Sequence, residues 1–242
     1  MRYKPYSNQF RKGMILEDNG KFAEAAPLPG FSIETYDEMC AGLKTKDRSI
    51  PSVSFALESL EIPFPSPKEP PMAHFGNDET FHNTIKLKLG DLSLDDAISQ
   101  TKQAQKFCKN LRVDMNGKWP LEKAIAYSAA FAKNTFEFIE EPCENLLPFL
   151  ENTIHPIAVD EHLRTLPLDQ ILSLPIKAAV IKPMLHGGFS ILKPLVEKLK
   201  SASITPVISS TYETSIGLTH LKDLYYRLEL TTAAGLDTEK LL

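Results

Sequence analysis

Cysteine is scarce in this chain. There are three in 242 residues, Cys40, Cys108 and Cys143. An odd number at scattered positions argues against a disulfide framework and suits a reducing cytoplasm. No stretch approaches the roughly 18 consecutive apolar residues of a membrane helix. The opening residues, Met1 to Asn8, lack the apolar core of a signal peptide. Long runs of like charge are also missing, and the net charge is −4. Neither nucleic acid nor a membrane surface is therefore expected as a partner, and no obligate protein partner is inferred. No glycine-rich phosphate loop is present, and Gly187-Gly188 is too short to count. The six histidines form no His-x-His or His-Glu-x-x-His, so no zinc motif is indicated. What remains is an ordinary globular composition, 43% hydrophobic and 24% charged. It can fill one large domain, or one with a small partner.

Against this background five charged residues stand out. Lys88, Asp114, Glu140, Asp160 and Lys182 each close a short apolar, strand-like run. A buried strand favours Val, Ile or Leu there, and one unpaired buried charge is costly. Their intervals are 26, 26, 20 and 22 residues. A βαβ unit takes about 30 residues, so each step reads as one β/α repeat. In a parallel barrel the C-terminal strand ends converge on one face, where active sites are built. Three carboxylates there offer hard oxygen ligands suited to Mg²⁺, with Mn²⁺ as the alternative.

The first part of the chain has another rhythm. Gly13 to Glu17 and Phe22 to Ala26 read as two strands around an Asn-Gly turn. Ser32 is placed to cap a helix from about Ile33 to Leu43, and Pro51 opens a second helix. The proline-rich stretch 61–71 marks a boundary. We expect a small N-terminal α+β domain over 1–66 and a (β/α) domain over 67–242. In the latter, His74 and Phe75 belong to a first strand with little helix after it. The clearest helices run over 92–110, 121–133, 190–201 and 214–230, and the last strands over 205–210 and 233–237. Length creates tension, because an eight-repeat barrel takes about 250 residues.

Each candidate has a bland reading beside the chemical one. Lys86 and Lys88 share one strand face, as on a wet edge strand or inside a charged site. A lysine beside another ammonium and a dication has a lowered pKa and can serve as general base. Asp114-x-Asn116 is also a common turn. Strand parity leaves open which of Glu140 and Glu141, and which of Asp160 and Glu161, faces inward. His162 and His186 follow strand ends as mouth residues or simple loop residues. Ser209-Ser210 can hold a carboxylate or cap a helix.

Taken as a series, these segments resemble the enolase superfamily, and within it the o-succinylbenzoate synthases. The resemblance rests on the Pro27-Leu28-Pro29-Gly30-Phe31-Ser32 loop, Ile50 to Ala56, Lys86-x-Lys88, Arg112-Val113-Asp114-x-Asn116 and Glu140-Glu141-Pro142-Cys143. It continues through Asp160-Glu161, Ile181-Lys182-Pro183, Ser209-Ser210, Glu213, Gly217-Leu218 and Gly235-Leu236-Asp237-Thr238. It implies a modified (β/α)7β TIM barrel with an α+β capping domain. It also implies that Asp114, Glu140 and Asp160 ligate Mg²⁺ and that Lys88 is the base, with Lys86 tuning it. Lys182 would steady the anionic intermediate, Arg112 would orient the base, and Ser209 and Gly235 would hold the substrate's succinyl end. The implied reaction is a Mg²⁺-dependent dehydration of a cyclohexadiene carboxylate toward menaquinone, in the cytoplasm. A racemase or epimerase of the same superfamily and a non-catalytic binding protein are the alternatives. Compared with the family pattern, the chain reads as shortened at both termini, with an early capping strand absent.

Overall fold

The structure, a computed structural model, describes residues 1–76 and 78–238. Asn77 and 239–242, the end of the expected second domain, lie outside the described residues. The elements run β1 (Arg2–Ser7), β2 (Lys12–Asp18), β3 (Lys21–Ala25), α1 (Tyr36–Thr45), α2 (Pro51–Glu61), β4 (His74–Phe75) and β5 (His82–Lys88). Then come α3 (Leu94–Ala104), β6 (Cys108–Asp114), α4 (Leu121–Ala129), β7 (Phe138–Glu140), α5 (Leu146–Glu151) and β8 (Ile157–Val159). The series ends with α6 (Glu161–Thr165), α7 (Leu168–Ser173), β9 (Ala178–Ile181), α8 (Pro183–His186), α9 (Phe189–Ser201), β10 (Thr205–Ile208) and α10 (Ser215–Arg227).

The residues group into two compact units. One comprises Met1–Pro71, Ile181–Lys198 and Val207–Leu242, and the other Met72–Val180 and Leu199–Pro206. The first unit takes in more than the N-terminal segment 1–66.

In the first unit β1, β2 and β3 form an antiparallel sheet. The Asn-Gly turn is as expected: Asn19 and Gly20 both have positive φ, 51° and 77°, which a two-residue hairpin turn requires. An early strand is present after all. β1 pairs along its length with β2, Tyr3 opposite Leu16; its sequence, Arg-Tyr-Lys-Pro-Tyr-Ser, carries no apolar alternation to betray it. Leu16, Met39, Leu43, Val53 and Leu60 form the core between this sheet and α1 and α2. A fully buried Leu contributes about 1.5–3 kcal/mol.

Helix α1 begins later than Ser32 suggested. Its N-cap is Thr35, in a capping box with Glu38, which satisfies two end donors reciprocally. The Ser32 hydroxyl instead accepts from the Leu28 N–H at 2.8 Å and ties down the loop before the helix. α2 opens on Pro51 as expected.

The second unit holds a seven-stranded sheet in the order β10-β9-β8-β7-β6-β5-β4. The pairs from β4 to β9 are parallel. β9 and β10 run on at their ends into the first unit. No helix separates β4 from β5, as expected. Short elements relieve the tension in length: β7 and β8 have three residues each, and α5, α6 and α7 have six, five and six. The expected helix 92–110 stops earlier. α3 ends at Ala104, and Cys108 already begins β6.

Candidate active site

Strand register brings the first part of the site together. Lys88 pairs with Asp114, and Asp114 with Glu140. One step back along the same face, Lys86 pairs with Arg112 and Arg112 with Phe138. In-register parallel strands therefore stack the Lys-x-Lys, Arg-x-Asp and Phe-x-Glu patterns, because side chains two apart share a face.

The Lys86 ammonium donates to both Glu140 oxygens, at 2.7 and 2.6 Å, and lies 2.9 Å from Asp114 Oδ2. Lys88 Nζ lies 2.6 Å from the same Asp114 oxygen and donates to Asn116 Oδ1 at 3.0 Å. Asp114, Glu140 and Asp160 are at most 1% exposed, whereas the Lys88 side chain is 32% exposed. The buried row thus has one reachable amine. Asn116, at φ 50°, donates its own N–H to Asp114 Oδ1 at 2.9 Å. The turn reading of Asp114-x-Asn116 holds.

The electrostatics follow from this crowding. Burial alone raises the Asp114 pKa, but Lys86 and Lys88 outweigh it and hold the carboxyl far below the usual range. Burial disfavours the Lys86 ammonium, yet Asp114 and Glu140 more than offset it, and its pKa rises. Burial first, then the charge of Asp114, push the Glu140 pKa up to about 8, and Asp160 adds to the push. Asp114 and Asp160 thus crowd Glu140 with negative charge in a buried place.

The pair Glu140-Glu141 divides its labour. Glu140 faces Lys86. Glu141, at φ 40°, turns toward the start of α6 and accepts from the Asp160 and His162 N–H groups, both at 2.7 Å. It also contacts His162 Nδ1 at 2.5 Å, and this bond raises the His162 pKa against the effect of burial. Sequence reading missed this brace, which fixes the backbone on which Asp160 sits. Arg112 is buried, and its fork binds Glu137 through Nε and Nη2 at 2.9 and 3.0 Å. Its guanidinium carbon also lies 4.7 Å from the Phe138 ring centroid.

Three buried carboxylates on consecutive strand ends are a hard-oxygen set of the kind Mg²⁺ takes. The raised Glu140 pKa shows that this set favours added positive charge. The fit is one of donor chemistry. Among the described residues the three acids do not each bring an oxygen within 4.8 Å of the others, and the Lys86 ammonium bridges Asp114 and Glu140.

Lys182, Ser209 and Gly235 belong to the first unit. Lys182 closes β9 and precedes α8, and its Nζ lies 5.9 Å from the Phe31 ring centroid. Phe31 sits on the 27–32 loop, whose Leu28 carbonyl accepts from the N–H groups of Phe31 and Ser32 at 3.0 and 2.9 Å. His186 contacts the Lys182 backbone through Nδ1. Ser209 and Gly235 form a parallel bridge, and Ser209 Oγ donates to the Gly235 carbonyl at 3.2 Å.

The enolase C-terminal domain-like family matches residues 73–192. An o-succinylbenzoate synthase of Vibrio cholerae serotype O1 is 32% identical over 276 residues, spanning 94% of this chain and 82% of that protein. The solved o-succinylbenzoate synthase of Thermosynechococcus elongatus, complexed with Mg in its active site, superposes with a TM-score of 0.72 at 21% identity, covering 96% and 88% of the two chains. The L-Ala-D/L-Glu epimerase of Bacillus subtilis superposes with a TM-score of 0.74 at 16% identity, covering 98% and 86%; at that identity the likeness concerns fold alone. Register, donor set and sequence relationship agree: the chain belongs to the o-succinylbenzoate synthase family, lyases of the enolase superfamily.

Proposed function

We propose that this chain catalyses the syn dehydration of 2-succinyl-6-hydroxy-2,4-cyclohexadiene-1-carboxylate to 2-succinylbenzoate, a menaquinone-pathway step in the cytoplasm, with Mg²⁺ held by Asp114, Glu140 and Asp160. The observation that carries the reading is the buried row Lys88–Asp114–Glu140 in a chain related to such synthases over most of its length. No helix among the described residues is long and apolar enough to cross a membrane, which suits a small soluble substrate. In this proposal residues 1–66 serve as capping domain and 67–242 as catalytic domain.

Mg²⁺ held by Asp114, Glu140 and Asp160 would supply Lewis-acid stabilisation of negative charge on the substrate carboxylate. The rest falls to the chain's own groups. Lys88, the exposed amine of the row, removes the ring proton and returns it to the departing hydroxyl, so that water leaves and the ring becomes aromatic. Lys86, expected to tune the base, and Arg112, expected to orient it, are candidates for substrate contact that act mainly by holding Glu140 and the β6–β7 strand pair in place. Lys182 stabilises the electron-rich ring as a cation. Ser209 and the Gly235 backbone hold the succinyl carboxylate.

The test is ultraviolet absorbance of the aromatic product, with and without EDTA. We expect turnover that EDTA abolishes. Lys88→Ala should lose the proton-transfer contribution, about 10²–10⁴-fold in kcat, with an unchanged circular dichroism spectrum, and Lys182→Ala should slow catalysis as well. A folded, Mg²⁺-saturated chain that forms no product would return the binding-protein reading. Epimerisation of acylamino acids or dipeptides without dehydration would return the racemase reading.

A further inference from the structure

A second cluster lies on β4, the start of β5 and the segment between them. His74 in β4 and His82 at the start of β5 stack ring on ring, with centroids 3.7 Å apart and planes 6° apart. Both present Nε2 to the carboxylate of Asp78: His74 Nε2 is 3.1 Å from Oδ2 and His82 Nε2 is 3.3 Å from Oδ1. The Thr80 N–H donates to Asp78 Oδ1 at 3.1 Å and orients the carboxylate. The three side chains each place a ligand atom within 4.8 Å of the others, the one such group of histidine, cysteine and acid side chains among the described residues. His82 opens the strand that Lys88 closes, six residues on, and His74 pairs with Ile85, three residues before Lys88, so along that strand the cluster's histidines stand about 10 to 20 Å from the acids at about 3.3 Å per residue.

We infer that His74, Asp78 and His82 form a separate binding site for a transition-metal dication of the Zn²⁺ class. Two imidazole nitrogens and a carboxylate oxygen are the ligand types such ions take, with water completing the fourth position. The spacing agrees. Ligand atoms held about 2.0–2.1 Å from a tetrahedral ion lie about 3.3 Å from one another, and the N···O separations are 3.1 and 3.3 Å. The backbone N–H on Asp78 is the outer-shell support that metal carboxylates typically have. The expected role is a clip. The metal ties β4 to β5 across the helix-free connection, whose turn starts at Gly76 with φ 111°, and constraining such a loop stabilises the fold.

The test is Co²⁺ and Zn²⁺ binding to the whole chain in excess Mg²⁺, which occupies the acid site. We expect one equivalent of Co²⁺ with the intense visible bands of tetrahedral coordination, displaced by Zn²⁺. His82→Ala and the milder Asp78→Asn should each weaken it by more than about 100-fold, the upper end of what losing an outer-shell partner costs. Zn²⁺ should raise the Tm of the parent chain and not that of His82→Ala, while the Mg²⁺-dependent dehydration rate stays unchanged in both variants. No tetrahedral Co²⁺ signal in the parent chain would overturn the inference. So would a signal that survives in both variants and disappears in Asp160→Asn, since it would then belong to the acid site.

Discussion

Each unit of this protein buries a cluster of acids and cations, and each handles its buried acid differently. In the first unit Arg11 lies 3.6 Å from Glu24 and 3.9 Å from Glu213, all three side chains fully buried. In the second, Lys86 and Lys88 face Asp114 and Glu140, and Asp160 adds its charge to the push on Glu140. The Glu24 cluster is closed by its own fold. Glu24 Oε2 accepts from the N–H groups of Thr214 and Gly217 at 2.9 and 3.2 Å and from the Thr214 hydroxyl at 2.6 Å, at the N-terminal end of α10. Tyr6 donates to its other oxygen. A helix N-terminus offers free N–H donors and partial positive charge, so the first cluster meets its buried acid with backbone. In the second cluster Glu140 shares its two oxygens with one ammonium, beside a lysine a third exposed to solvent. Both Glu24 and Glu140 are pushed up by burial; the first is held by backbone N–H groups, and the second stands beside an accessible amine.

Removing the cation from each cluster breaks the comparison most forcefully. Arg11→Met strands Glu24 and Glu213 in the core, and losing one partner of a buried ion pair costs about 3–5 kcal/mol. At this size that is a drop in Tm on the order of 10 °C, and Mg²⁺ should not restore it. Lys86→Met strands Glu140, but there Mg²⁺ should recover much of the loss. Thermal unfolding of both variants in EDTA and in Mg²⁺ checks this. Equal rescue of both, or of neither, would erase the distinction between the clusters.

The lysine–acid cluster was far more legible in the sequence than the Arg11 cluster. Lys88, Asp114 and Glu140 end apolar runs at near-constant spacing, and parallel register turns that spacing into a row. Arg11, Glu24 and Glu213 come from β2, β3 and the segment before α10, with no period linking them. Their meeting depends on tertiary packing alone. The cap at Thr35 was missed because Ser32 is an equally good capping residue, and only the backbone shows that its hydroxyl is used by Leu28. Glu141 was left undecided because strand parity ends where φ turns positive. The His74–Asp78–His82 cluster escaped because its four-residue spacing lies in a strand and a turn, where a helical period has no meaning. The helix 92–110 ran too long in the sequence reading because Cys108 to Asn110 carries no breaker; β-pairing with β5 claims those residues.

Acidity separates the clusters next. A carboxyl whose folded pKa is raised keeps, in the fold, a proton that the unfolded chain has released. Its contribution to stability therefore falls as pH rises between the two values. For Glu140 the window runs from the ordinary value of 4.5 to about 8, a change of a few kcal/mol at about 1.4 kcal/mol per unit. The Asp114 shift acts below that window and the Lys86 shift above it. Glu24, raised by burial despite Arg11, pushes the same way. So does His162, whose raised pKa contributes stability that is lost as pH climbs through its folded value. Metal-free protein should lose Tm from pH 5 to 8. Mg²⁺ should remove the Glu140 share and leave the others, and Glu140→Gln in EDTA should show the same reduced slope. If the slope is identical in EDTA, in Mg²⁺ and in Glu140→Gln, the raised pKa does not belong to Glu140.

The smallest expected effect contrasts what the two units do for catalysis rather than for stability. A Cβ added at Gly235 would come within 2.8 Å of Ser209 Oγ and 3.2 Å of Ser209 Cβ. The hydroxyl must rotate away and give up its bond to the Gly235 carbonyl, so Gly235→Ala should cost about 1–2 kcal/mol. Ser209→Ala removes the closest atom of that clash. The two changes should therefore couple by about 0.5–1 kcal/mol when combined, as neighbours do. If Ser209 and the Gly235 backbone hold the succinyl end, groups that grip ground state and transition state alike, each single change should raise KM and leave kcat nearly intact. Lys88→Ala acts on kcat instead. Steady-state kinetics of the four chains decide the matter: a fall in kcat for Ser209→Ala with KM unchanged would move Ser209 from binding into the chemistry.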